Sequence, residues 1–394
     1  MLQELVNRSA DLRKLQNEGY ELEVIGGYLV VHHIPYVANV NGKPIPKDDG
    51  KIVVKLKLSG ATLSEPFDHT AYFEGEFPCD INGGQLKGVV NNSNKQDLGN
   101  GLVVNHYLSN KPAEGAEKSY YEKIIRYESI ISRPAQYLDN NMTAKTFKPI
   151  QSDTNSSPFK YVDTMSSRYD IQTISEKLKN DKIAIIGLGG TGSYVLDFIA
   201  KTPVREIHLF DGDDYCSHNA FRAPGAPSIE TLEDRQLKVE YFRNVYSNMR
   251  DGIFSHSDHL TSDNVEQLLN GFDFVFLCID NSKARKLITE FLGFRNIPFV
   301  DTGIGLCVNN DEISGQIRTT YCDANTYDSV KENFPVETFK VDEVYKTNIQ
   351  IAELNALNAV MAVIKWKQQK GFYNEQNNKC NYVFSINDWT LIKS

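Results

Sequence analysis

KIAIIGLGGTGSYVLDFIAKTPVREIHLFDGDDYCSHNAFR, residues 182–222, is the stretch that decides the fold. A short apolar strand at 183–186 runs into Gly187, Gly189, Gly190 and Gly192. A helix is expected to open at Ser193, and a second strand at 206–210 ends in Asp211. Glycines let the backbone turn sharply and approach a phosphate, while the helix N-terminus offers unpaired N–H groups to the anion. An acid about 20 residues past such a loop holds ribose hydroxyls. The stretch predicts a nucleotide site.

The loop alone fits NAD as well as ATP. The discriminating residues lie downstream: Asn219-x-x-Arg222, Lys238, and the strand end Cys278-Ile279-Asp280-Asn281. Asn, Arg and Lys around one glycine loop make a cationic, hydrogen-bonding clamp suited to a triphosphate. A carboxylate at the C-terminal end of the next parallel strand faces the same crevice and can hold magnesium. A dehydrogenase needs none of these additions, so the set favours ATP. An NAD-dependent oxidoreductase and a non-catalytic nucleotide-binding scaffold are the alternative readings. No His/Asp or Lys/Tyr hydride-transfer constellation supports the former. Asp280 could also cap the helix expected near Ser282, and Asp213 and Asp214 read as turn residues.

At 394 residues the chain has room for two domains. Its net charge of −9 argues against broad nucleic-acid or anionic-membrane partners. No apolar run approaches the ~20 residues of a membrane span. Glu4, Arg8 and Asp11 do not suit a secretory signal. The six cysteines lack a C-x-x-C pair, as expected of reduced thiols in a cytoplasmic protein.

Residues 2–16 carry Leu2, Leu5, Val6, Leu12 and Leu15 at helical spacing. A hairpin follows, ELEVI and YLVVHHI around Gly26-Gly27, then strands at 51–59, 69–77 and 101–108. A helix is expected over 117–132, stopping before Pro134. This makes a strand-rich α+β module over 1–139, joined through a linker at 140–166 to a second domain over 167–394. There the alternation predicts a helix at 232–249, a strand at 274–279, a helix at 282–294, a strand at 299–300 and a last helix at 349–369. Such alternation predicts an α/β domain with a Rossmann-like, mostly parallel sheet.

With Gly187-x-Gly189-Gly190-x-Gly192-Ser193, Asp211, Asn219-x-x-Arg222, Lys238 and Asp280-Asn281 in place, the chain resembles the ThiF/MoeB family of ubiquitin-activating-type adenylating enzymes. The resemblance covers roughly residues 167–370, with GQI at 315–317 and the last helix also in family position. It implies ATP- and Mg²⁺-dependent adenylation of the C-terminal glycine of a ubiquitin-like or sulfur-carrier protein, with release of pyrophosphate, by a homodimer. By position, Asp211 would hold the ribose, Asn219, Arg222 and Lys238 the phosphates, and Asp280 the magnesium.

The family's Arg-Tyr-x-Arg-Gln stretch reads Arg168-Tyr169-Asp170-Ile171-Gln172 here, leaving Arg168 as a substitute for the second Arg. The family's paired CxxC zinc motifs are missing, so no zinc is expected. Cys322 is the best-placed thioester candidate; Cys278 and Cys307 read as inert strand residues. The N-terminal half resembles a module fused ahead of ThiF-like domains in bacterial ubiquitin-like conjugation systems, which implies partner docking or transfer. Cys79 in Phe77-Pro78-Cys79-Asp80 reads first as a loop thiol and second as a transfer nucleophile. His32, His33, His69 and His106 lack ligand spacing and read as ordinary hydrogen-bonded histidines.

Overall fold

A computed structural model describes the chain except residues 1–4, 7, 60–61, 113–114, 116, 150–156, 170, 335–348 and 377–378. It forms two compact units, Met1–Gln151 with Val162–Gln172, and Ser152–Tyr161 with Thr173–Ser394. Among the described residues no helix is long and apolar enough to cross a membrane.

The first unit opens with helix α1 (Ala10–Asn17). Leu5 and Val6 ahead of it are helical and buried, and Leu2 lies outside the described residues. The sheet strands are β1 (Leu22–Ile25), β2 (Tyr28–Val40), β3 (Lys43–Lys55), β4 (Thr70–Glu74), β5 (Val90–Asn92) and β6 (His106–Ser109). They pair antiparallel in the order β1-β2-β3-β4-β6-β5. Gly26 and Gly27, both at positive φ, make the expected two-residue turn between Ile25 and Tyr28.

Strand β3 starts eight residues before the expected position 51, and through Pro44 and Pro46. This works because β4 pairs only with Lys51, Ile52 and Val53, so the proline-bearing stretch has β2 alone as a partner. A proline lacks the N–H that a second neighbour would need.

Helix α2 (Tyr120–Leu138) caps the sheet against β2 and β3. It does not stop before Pro134 as expected. A proline in a helix forfeits one backbone hydrogen bond. Here Ala135 is fully buried beyond it, so packing carries the helix one more turn. Residues 140–149, read as the start of a linker, instead fold back on this unit. Ala144 is in its core, Lys145 bridges Tyr20, and the Phe147 N–H donates to the Gly19 carbonyl at 3.1 Å.

The second unit is built on β7 (Lys182–Ile186), α3 (Gly190–Ala200), β8 (Glu206–Phe210), α4 (Lys238–Tyr246), β9 (Ile253–His256), β10 (Phe274–Leu277), α5 (Ser282–Arg295), β11 (Phe299–Asn309), β12 (Glu312–Cys322), α6 (Ala352–Gln369), β13 (Asn381–Ser385) and β14 (Thr390–Lys393). The sheet order is β9-β8-β7-β10-β11-β12-β13-β14. The first five strands run parallel, and a three-stranded antiparallel extension follows. All four residues of β10 are buried, as in a strand covered on both faces. Helix α3 opens at Gly190, three residues before the expected Ser193, so the later glycines belong to its first turn.

Helix α6 lies against α3, β11 and β12. Its fully buried Trp366 meets Phe274 and Phe276, and the indole N–H donates to Asp181 at 3.2 Å. Trp366→Ala should therefore cost about 3–5 kcal/mol of unfolding free energy. Urea unfolding of the full chain measures this, and a loss below about 1 kcal/mol would remove α6 from the core of the sheet's cover.

Candidate functional site

Strand order reverses between β7 and β10, and there two chain segments touch. In open parallel sheets this switch point is where a crevice forms beyond the strand ends. Gly187 leaves β7 at φ +87°, and a Cβ on it would sit 2.6 Å from the Cys278 carbonyl oxygen. A Cβ on Gly192 would overlap the Gly187 carbonyl, and one on Gly190 the Asn355 amide. Packing thus demands glycine at three positions. Gly189, the N-cap of α3, is different: among the described residues its Cβ would meet nothing nearer than Gln350 Oε1 at 3.9 Å. That face of the loop is open to a ligand.

Ser193 is fully buried and its hydroxyl donates to the Gly190 carbonyl at 2.8 Å, so it stiffens the turn rather than facing the crevice. Asp211 ends β8 and ties the loop from the other side. Its Oδ2 accepts the Leu188 N–H at 2.7 Å, and its Oδ1 accepts the Asp213 N–H at 3.0 Å.

Lys238 reaches this acid because the helix expected over 232–249 is broken. Arg235 takes φ +45°, Tyr215 N–H donates to Gln236 O, and Lys238 N–H donates to Asp213 O. The break makes Lys238 the first residue of α4. Its ammonium, almost buried, lies 2.6 Å from Asp213 Oδ2 and 3.3 Å from Asp211 Oδ1. Lys238 holds the Asp213 carboxyl below its usual range, so Asp213 is more than a turn residue.

Asn219 is buried in the turn Ser217–Ala220, its Oδ1 accepting the Cys216 N–H at 2.9 Å. That turn delivers Arg222, which is half-buried. Its Nε is buried and has no hydrogen-bond partner among the described residues. Burial lowers the Arg222 pKa, and the nearby Asp280 charge opposes the shift. Desolvation and then the positive fields of Arg222 and Lys238 lower His218, which places the three side chains in one neighbourhood. Asp280 is exposed at the end of β10. It does not cap α5: Asn281 does, accepting the Lys283 and Ala284 N–H groups at 3.0 Å.

Sequence reasoning missed the support beneath Asp280. Arg285 of α5 donates to the Ile279 carbonyl and, at 2.9 Å, to Asp301, which is fully buried in β11 and also takes Arg318. An acid inside the apolar run Phe299-Val300-Asp301 was the available signal. His218, beside Asn219, was equally visible but unweighted.

Cys322 is placed in the core at the end of β12, and burial pushes its thiol up to about 12. That environment removes both the access and the thiolate that a thioester-forming residue needs. Cys278 is pushed up to about 12 as well, as an inert strand thiol would be. Cys307 is exposed rather than in the core. Arg168 ends a short helical turn, Thr164–Arg168, of the first unit, and Asp170 lies outside the described residues.

A glycine loop, a strand-end acid and two cationic side chains meet at the switch point of the mostly parallel sheet of an α/β domain. The chain belongs to the ThiF family, whose sequence profile matches residues 165–391. Residues 10–164 match a domain of unknown function, DUF6791. The chain is 29% identical over 128 residues to tRNA threonylcarbamoyladenosine dehydratase of Escherichia coli (strain K12), across 31% of this chain and 45% of that one. It is 29% identical over 126 residues to adenylyltransferase and sulfurtransferase uba4 of Pyricularia oryzae, across 32% of this chain and 25% of that one. The crystal structure of E. coli MccB with ATP aligns at TM-score 0.43 and 16% identity, over 59% of this chain and 69% of that one. The chain spans less than half the length of these curated relatives.

The Gly190–Asn355 contact has a measurable signature. Gly190→Ala should cost about 1–3 kcal/mol by overpacking. Adding Asn355→Ala should return part of that loss, because the two changes share one contact. Strict additivity in urea unfolding would mean the two residues do not meet.

Proposed function

We propose that the second unit activates the C-terminal carboxylate of a ubiquitin-like or sulfur-carrier protein by transferring AMP to it from ATP. The observation that carries this reading is Arg222, whose buried Nε has no hydrogen-bond partner among the described residues while its charge is near that of Asp280. A buried donor left unmade costs about 1–3 kcal/mol, more for a charged group. An anion that supplies the missing acceptor recovers that cost, and a phosphate does so with charge.

The chemistry follows from two anions meeting. A carboxylate and a triphosphate repel each other until cations offset the charge. Arg222 grips phosphate through its free donor. Lys238 moves from Asp213 to the phosphates, since a lysine held between two acids can exchange one anion for another. Asp211, fixed at the loop by the Leu188 N–H, takes the ribose hydroxyls, and the open face at Gly189 admits the phosphate chain. The carboxylate oxygen then bonds to the α-phosphorus as the bond to the β-phosphoryl oxygen breaks, and pyrophosphate leaves. Magnesium fits this site: one exposed carboxylate, Asp280, completed by phosphate oxygens and water, is a usual set for that ion. When bound it would neutralise phosphate charge.

The family membership supports adenylation in general, and the name of the uba4 relative includes a sulfurtransferase. The dehydratase relative is named for a tRNA nucleoside, but the net charge of −9 disfavours an RNA partner here. No thioester step is part of this reading, given where Cys322 lies. A cytoplasmic homodimer, with the first unit docking a conjugation partner, completes it.

Saturating Mg-ATP at a hundred times its Kd should stabilise the chain by about 2.7 kcal/mol, visible as a raised Tm, with no effect of NAD. Arg222→Ala and Asp280→Asn should each reduce partner-dependent pyrophosphate release by roughly a hundredfold or more. A Tm shift with NAD alone, or unchanged release in both variants, would overturn the assignment. Tight ATP binding without release, with the partner present, would make the domain a scaffold.

A further inference from the structure

The first unit has a concave site of its own. A cavity of about 440 Å³ is lined by Phe77, Cys79, Ser93, Asn105 and His106, with Gln85 and Lys95 exposed on its rim. His106, on β6 opposite Phe73 of β4, is 6% exposed. Its ring stacks on Phe73 and meets the Phe77 ring edge-on at 5.1 Å between centroids. Its Nδ1 lies 3.0 Å from the Ser93 hydroxyl oxygen.

The backbone corner at Gly75 and Glu76, which lines the same cavity, is tightly built. Gly75, at φ +153°, leaves no room for a Cβ against the Phe73 ring. Its N–H donates to Asn105 Oδ1 at 3.0 Å, and the Glu76 N–H to the Tyr36 hydroxyl at 3.2 Å. With the ring proton on Nε2, Nδ1 is the nitrogen that accepts from the Ser93 hydroxyl. Burial lowers the His106 pKa, so the ring is neutral at pH 7 and available as a base. Ser93 itself is exposed, on a turn where Asn92 Oδ1 takes the Asn94 N–H at 2.7 Å.

Cys79 is the less suitable nucleophile of the two. Its thiol is 1% exposed, donates to the Phe77 carbonyl at 3.3 Å, and is pushed up by burial. It stays protonated and forms wall.

We propose that Ser93 and His106 are a nucleophile–base pair, and that the first unit transfers or hydrolyses activated acyl groups, esters or thioesters, carried on a peptide-like chain. Ser93 Oγ bonds to the acyl carbon as its proton passes to His106 Nδ1. The C–O or C–S bond then breaks, and the leaving alcohol or thiol takes that proton. Water repeats the sequence to release the acid and restore Ser93. His106 is held between the Phe73 and Phe77 rings, with no hydrogen bond to a carboxylate among the described residues to stabilise an imidazolium, so good leaving groups suit it and amides do not. On the rim, the Gln85 amide and Lys95 ammonium supply donors for carbonyl oxygens of the acyl chain.

The test uses the full chain and a fluorophosphonate probe, whose P–F bond breaks as Ser93 Oγ bonds to phosphorus. Peptide mapping by mass should find the adduct on Ser93, none in Ser93→Ala, and an unchanged rate in Cys79→Ala. His106→Gln should label roughly a hundredfold slower or less. The wild-type rate should persist below pH 6.5, the ordinary histidine value, and fall only as the depressed His106 pKa is passed. Ser93 is exposed, so its variant keeps a native Tm even if His106→Gln unfolds. No Ser93 adduct on folded protein, an adduct on Cys79 instead, or wild-type labelling in a folded His106→Gln would overturn the proposal. The adenylation reading is untouched by any of these results.

Discussion

The second unit depends on one close approach of backbone to backbone. At the switch point, Gly187 passes the Cys278 carbonyl with space for a hydrogen and no more, and Gly192 closes on the Gly187 carbonyl in the same way. A side chain at either position would separate β7 from β10 or lift α3 off the sheet. Held together, these segments set the N-terminus of α3, the end of β8 and the end of β10 around one opening. The N-terminus of α3, Asp211 and Asp280, the groups proposed to take phosphate, ribose and magnesium, thereby converge without any one of them needing unusual chemistry.

Charge then organises what steric fit has gathered. Lys238 lies between Asp211 and Asp213, so a buried ammonium is compensated in the absence of ligand. Arg222 Nε has no hydrogen-bond partner among the described residues. The asymmetry suits the proposed uptake of a polyanion, with one cation held ready and another able to gain a partner. Beneath the opening, Arg285 joins the Ile279 carbonyl to fully buried Asp301, which fixes the backbone just ahead of Asp280. Such a buried ion pair adds little net stability against a hydrophobic alternative. Its contribution here is to position the loop.

The two units solve the burial of a sheet differently. The central parallel strands β7, β8 and β10 of the second unit are buried at every residue after the first, as strands covered on both faces are. The antiparallel strands of the first bury one face under α2 and part of the other against a small cluster of Val30, Val53, Leu102 and Val104, and the corner at Gly75 and Glu76 opens into a hollow.

The sequence by itself determined the glycine loop, the strands beside it, Asp211, and the cation and acid set, because these follow from local rules of period, turn and spacing. Several elements escaped it for nonlocal reasons. Helix α2 runs through Pro134 because Ala135 is buried beyond it, and β3 extends through two prolines because no second strand asks for their N–H groups. The single helix expected over 232–249 breaks because Gln236 and Lys238 bond to Tyr215 and Asp213 of a distant turn, and that break is what brings Lys238 to Asp211. Burial also decided which cysteines are buried and inert: nothing in the spacing of Cys322 or Cys79 shows that packing keeps both protonated. The hydroxyl–imidazole pair of Ser93 and His106 spans thirteen residues and two elements, so only the tertiary structure, by pairing β6 with β4 and β5, could bring it together.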